Sequence, residues 1–294
     1  MFFKLLIRNP QAVIGMSIMA FFIVISLAAP IIAPYDPEAR VGLPHEAPSS
    51  EHLFGTSRMG RDVFSQVLYA GQISITVGIT AGLITTFIAL ATGLSAGYFG
   101  GRIDEVITFA TNVILVLPQL PLLLVLAAFL GEVSPALIAF IIGVTSWAWG
   151  SRVIRSQTLA LREKEFIKAA ELIGEPARRI IFIELLPNLI SIIGSGFIGA
   201  VIYAVMTQAT LEFIGLGDPT SISWGTMLYH AQTSSAIYVG AWWDLLVPCV
   251  AISLFGASLA LLNFAVDEVA NPKLRAKGAL RRYKRMLKRG EVKA

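Results

Sequence analysis

The chain has 294 residues, 55% hydrophobic and 14% charged, with a mean hydropathy of +0.72. That apolar content exceeds an ordinary soluble domain and points to a membrane protein. Twenty-three Lys and Arg against nineteen Asp and Glu give +4, and one cysteine, Cys249, excludes an internal disulfide framework. No Gln/Asn-rich, Gly/Ser-rich or acidic tract is present, so disorder is not expected outside the ends.

Charged residues are absent from 9–35, 63–101, 106–131, 133–151, 185–211, 219–243 and 245–266, and most of these gaps accommodate a spanning helix of about 20 residues. The first gap follows Lys4 and Arg8 but outruns the roughly 7–15-residue core of a secretory leader. A retained anchor is therefore predicted over 11–33, with cleavage near Ala28-Ala29-Pro30 as the alternative. Residues 34–71 carry Pro34, Pro37, Pro44 and Pro48 among acids and read as a loop. A second span is predicted at 73–98, the stretch before it lying along the interface, with Gly78, Gly82, Gly93 and Gly97 spaced for close helix packing. A third, 103–130, contains Pro118 and Pro121, which should kink or interrupt it.

Further spans are predicted at 134–152, 187–212 and 243–265, whereas the Ser-, Thr- and Gln-rich stretch 219–243 is too polar for lipid. The expected fold is an all-α integral membrane protein with six transmembrane helices. It divides into an anchor and loop (1–71), a membrane domain (72–265) and a basic tail (266–294). Six spans put both termini on one side. With that side cytoplasmic, 20 of the 23 Lys and Arg are inside, and only Arg40, Arg58 and Arg61 remain in the first outer loop. The expectation is a multi-pass protein of the cytoplasmic membrane with both termini inside. The basic run 276–290 should meet anionic lipid or water rather than nucleic acid.

Most enzyme chemistry lacks its motif. There is no G-x-x-x-x-G-K-[ST] phosphate loop, and His45, His52 and His230 form neither HExxH nor a zinc spacing. Residues 194–199 match GxGxxG but lie inside an apolar span, so helix packing is expected there rather than dinucleotide binding. Glu212 and Asp244 stand at span ends, where snorkelling or capping explains them, and no ionisable relay is evident near mid-membrane, which disfavours a proton-coupled carrier. Thr207 and Gln208 are polar groups in an apolar fifth span; facing a translocation path would spare them lipid.

The charged stretch 161–187 reads as two short helices with a break. Phe166, Ala169, Ala170 and Ile173 recur on one face, Gly174 is a terminator, Pro176 suits the next first turn and Pro187 marks entry to the fifth span. Such a pair can dock in a groove on a soluble partner; the alternative is a solvated loop.

Ala169, Ala170, Gly174, Leu186 and Pro187 resemble the EAA loop of ABC importer permeases, with Lys168 where that pattern has Glu. Residues 52–65 resemble the HPLGTDxxGRDVxSR segment of the dipeptide/oligopeptide/nickel permease subfamily. Residues 211–217, Ser223-Trp224-Gly225 and Ala241-Trp242-Trp243 resemble its LSFLGLG, SWGxML and AWW stretches, while 265–272 departs from its usual ending. The resemblance implies a type I ABC importer transmembrane domain. It also implies a homologous second permease, two ABC ATPase subunits carrying ATP and Mg, an extracytoplasmic substrate-binding protein, and alternating access; this chain itself would be no enzyme and bind no cofactor or metal. Phe166, Lys168, Ala169, Ala170, Glu171, Gly174, Leu186 and Pro187 would then form the ATPase-coupling segment. Peptides rank first as cargo, with oligosaccharides and nickel complexes as alternatives. A secondary transporter and a stand-alone receptor or scaffold remain as competing readings.

Overall fold

The computed structural model describes Leu6, residues 9–130 and residues 133–270. Lys4, Arg8 and the tail 271–294, which hold much of the charge count above, lie outside the described residues. Within them the elements are helical, with one isolated bridge, Thr56 to Asp62. That is the solution lipid imposes, because a helix satisfies its backbone polar groups internally.

Helix α1 (Pro10–Leu27) has Pro in its first turn and Asn9 as N-cap, the Asn9 side chain accepting from the Gln11 N–H at 2.9 Å. A short α2 (Ala29–Ile32) follows. Only Ala12, Gly15, Phe22 and Ser26 of α1 are buried, while Val13, Phe21, Val24 and Leu27 stand outward. The inner edge packs on the last helix, and Phe22, Trp224 and Phe255 meet there with ring centroids 5.6–5.9 Å apart.

Helix α3 (Val63–Phe99) runs unbroken for 37 residues, about 55 Å at 1.5 Å per residue. The interfacial stretch expected before residue 73 is instead part of this helix. Asp62 caps it, accepting from Ser65 N–H at 2.7 Å, and Val63, Ser65, Leu68 and Ala70 are buried by protein. Helix α3 also crosses the division expected at 71/72. The small-residue ladder behaves as expected: a Cβ on Gly82 would strike Val201, and one on Gly93 would lie 2.8 Å from Ile154 Cβ and the Ser151 carbonyl.

The expected third span is two helices, α4 (Gly101–Val116) and α5 (Gln119–Leu130), bent by 88°. Leu117, ahead of Pro118, is forced extended (φ −67°, ψ 129°). Pro121 sits in the first turn of α5, where its missing N–H costs no bond.

Helices α6 (Pro135–Thr145) and α7 (Trp147–Arg162) meet at Ser146 and form a 28-residue span. After α8 (Glu165–Leu172) and the single turn α9 (Ala177–Arg179), a π-helical segment (Ile180–Leu185) leads into α10 (Leu186–Phe213). The polar stretch 219–243 is no span, as expected. It holds α11 (Trp224–Thr233), opened by a capping box between Ser223 and Thr226. Helix α12 (Trp242–Ala270) completes the fold. Five described helices or helix pairs are long and apolar enough to cross a membrane, and six if the bent α4–α5 pair counts as one span.

Candidate functional site

Helix α7 stops because Lys164 is extended (φ −74°, ψ 145°), and the chain re-enters a helix one residue later as α8. Adjacent apolar residues then divide the work. Ile167 is fully buried with Tyr98, Ile180 and Leu185, pinning α8 to the bundle, whereas Phe166 is 43% exposed and Leu172 and Ile173 are more so. Gly174 ends α8 at φ +80°. The Glu175 N–H donates to the Ala170 carbonyl and the Gly174 N–H to the Glu171 carbonyl, both at 3.1 Å, the pair of bonds of a Schellman cap.

This turn lays Phe166, Ala169, Ala170 and Ile173 along one wall of a cavity of about 380 Å³ whose other wall is Glu175, Arg179, Ile180 and Glu184. Arg179 pairs with Glu175, Lys168 Nζ lies 2.7 Å from Glu163, and Arg162 stands 3.8 Å from Glu171 and over the Tyr98 ring. The Lys168 bond holds the exposed Glu163 carboxyl below the usual carboxylate range. Lys168, in the place of the pattern's acid, thus points its charge along the surface; pairs this exposed contribute little to stability.

Pro176 is the N-cap before α9 rather than inside its first turn. Leu186 and Pro187 are not in the groove. Leu186 packs near Leu189 and Ile154, and Pro187 lies in the first turn of α10 behind the π-helical segment. The Leu186 N–H reaches back to the Ile181 carbonyl, so the wider turn precedes the proline without interrupting the helix. The second member of the expected helix pair is therefore continuous with the fifth span from Ala177 to Phe213. Sequence reasoning missed Ile167: with Phe166 beside it, spacing does not say which of the two faces inward.

A larger cavity of about 580 Å³ opens on the bundle, lined by residues including Thr85, Gln119, Ser146, Ser195, Tyr203 and Asn263. Gly196 and Gly199 line it too. A Cβ on Gly194 or Gly196 would meet no atom of this chain within 4 Å, so neither glycine serves close packing between its own helices.

Residues 89–276 match the family described as binding-protein-dependent transport system inner membrane component, and residues 1–48 match the N-terminal TM domain of oligopeptide transport permease C. The chain belongs to this permease family. The dipeptide transport system permease protein DppC of Bacillus subtilis is 34% identical over 91% of this chain and 83% of that protein. DppC of Alkalihalophilus pseudofirmus is 33% identical over 93% and 90%. The oligopeptide transport system permease protein OppC of B. subtilis is 29% identical over 91% and 87%. The protein is thus a multi-pass membrane transport permease, not an enzyme.

In this permease Thr207 and Gln208, expected on the substrate path, are 5% and 1% exposed, inside the subunit. The reason is local. Gln208 Nε2 donates to Glu212 at 2.9 Å, and Glu212 also accepts from the Ser223 hydroxyl. Glu212, only 1% exposed, is neither snorkelled nor a simple cap. Gln208 and Glu212 escape lipid by bonding each other and Thr207 by burial, which spacing alone could not distinguish from facing a pore. Among the described residues no three His, Cys, Asp or Glu cluster as a metal site.

Proposed function

We propose that this permease is one of two homologous membrane subunits of an ATP-driven importer for di- or oligopeptides. Two ABC ATPases would carry ATP and Mg, and an extracytoplasmic binding protein would deliver cargo. The peptide reading is supported by the relatives, which are dipeptide and oligopeptide transport permeases. The observation that carries the coupling reading is α8: a short helix outside the spans, pinned by Ile167, that leaves Phe166, Ala169 and Ala170 around an open groove. An ATPase surface seated there would bear on the unbroken helix from Ala177 to Phe213, so a rigid-body shift of the ATPases becomes a tilt of a span and exchanges inward- and outward-facing states. Lys168, Glu171 and Gly174 would shape the same contact, and Leu186 and Pro187 the entry to the moving span.

In this reading both termini and α8 are cytoplasmic, 34–62 is extracytoplasmic, and 1–71, 72–265 and 266–294 serve as anchor and loop, transport domain and tail. The cargo route would run along the 580 Å³ cavity at the seam with the second permease. Affinity purification of the tagged chain from native membranes tests this. A second permease and ATPase subunits should co-purify, and vesicles holding the complex and binding protein should take up peptide on ATP hydrolysis. Isolation of the chain with neither partner, or ATP-independent uptake driven by a proton gradient, would overturn it.

A further inference from the structure

On the face that carries the 34–62 loop, a second cavity of about 410 Å³ lies between the turn 57–61 and the segment 219–233. Arg58, Arg61, Gln66, Thr226, His230 and Asp244 contribute to its lining. Asp244 is 3% exposed, and its Oδ2 has no hydrogen-bond partner among the described residues. A carboxyl withdrawn from water without a donor is costly, so Asp244 is short of a cationic or donor partner. Arg58 and Arg61 also line the cavity, and neither pairs with a carboxylate among the described residues. His230 is engaged with the Pro219 carbonyl at 3.1 Å, and His45, beside Arg58, is held below the ordinary histidine range by burial and by that charge.

The backbone that carries these groups is tied together. The Ser57 N–H donates to the Arg61 carbonyl and the Gly60 N–H to the Ser57 carbonyl, both at 2.9 Å, closing the turn that bears both arginines. Trp243, next to Asp244, donates from Nε1 to the Thr56 carbonyl at 3.2 Å and ties the carboxylate's helix to that turn. The fixed backbone lowers part of the ordering cost of binding.

We propose that this cavity binds a small zwitterion of di- or tripeptide size, its ammonium on Asp244 and its carboxylate on Arg58 and Arg61. A bare cation would face two guanidinium groups, an anion would leave Asp244 unmet, and a lysine side chain from a protein would leave both arginines unanswered. A compact molecule with both charges satisfies all three, and the volume is in the range of small-ligand sites. The proposal rests on the peptide-importer reading and adds to it a recognition step on the permease itself.

The test is calorimetric titration of the full permease–ATPase complex in nanodiscs, without binding protein, using Ala-Ala, N-acetyl-Ala-Ala and Ala-Ala-amide. Wild type should bind Ala-Ala at least about ten-fold more tightly than either blocked form, the scale of one charge-assisted bond. Asp244→Asn should abolish the preference over the acetylated peptide, and Arg61→Gln should reduce the preference over the amide. Equal binding of the three probes, undiminished preference in both variants, or no binding of Ala-Ala overturns the proposal. If Asp244→Asn instead weakens capture of the binding protein, the cavity takes a protein side chain. Vesicle uptake separates the two ideas: peptide uptake without zwitterion preference at Asp244 removes this site alone, and zwitterion binding without ATP-driven peptide uptake removes the importer reading alone.

Discussion

Replacing Gly174 isolates the geometry of the proposed coupling turn from its packing. The residue sits at φ +80°, yet a Cβ there would meet nothing within 4 Å, so any penalty is conformational rather than steric. A left-handed backbone costs an ordinary L-residue roughly 1–2 kcal/mol, asparagine less. Gly174→Val, β-branched, should fall at or above the top of that range and Gly174→Asn near the bottom. At about 1.4 kcal/mol per factor of ten, valine should reduce the share of complexes with α8 correctly presented by roughly ten-fold or more and asparagine by only a few-fold. The site lies outside the spans, so insertion and pairing with the proposed second permease should survive in both. The assay is peptide uptake with ATP hydrolysis in reconstituted vesicles: uptake per ATP should fall in the order Gly, Asn, Val. Equal uptake in all three, or a loss in Asn as deep as in Val, would refute the argument.

Ala170→Arg should abolish uptake while the complex still inserts, because Ala170 lines the α8 groove and a long cation there would obstruct the proposed ATPase contact at a cost of about 1–3 kcal/mol; uptake at the wild-type rate would return α8 to a solvated segment. Ile167→Ala deletes the fully buried anchor, a loss of about 2–5 kcal/mol, and should raise protease cleavage at 163–175 and uncouple hydrolysis from uptake, with Ile167→Val nearly normal. A cysteine at exposed Ser50 in a Cys249→Ser background should react with an impermeant thiol reagent from outside intact cells; labelling only after permeabilisation would reverse the proposed topology.

The apolar gaps, the loop from residue 34, though not its end at 62, and the break at Pro118 were legible in the sequence because each is a local matter. Lipid demands an uncharged run of sufficient length, and proline removes a donor wherever it stands. The α8 turn was legible for the same reason, since Gly174 and the small pair Ala169–Ala170 act through their own backbone and size. The facing of side chains was decided only by the tertiary structure. A span is apolar all round, so its composition does not mark which edge meets lipid and which meets protein. Gln208 could equally have lined a path or, as it does, bonded Glu212 inside the subunit, with Thr207 buried beside it in the chain. Phe166 and Ile167 are neighbours of similar apolarity, and only the placement of Tyr98, Ile180 and Leu185 makes Ile167 the buried one. Asp244 and Arg61 come to one cavity because Trp243 bonds to Thr56, a contact between distant parts of the chain that no local pattern encodes.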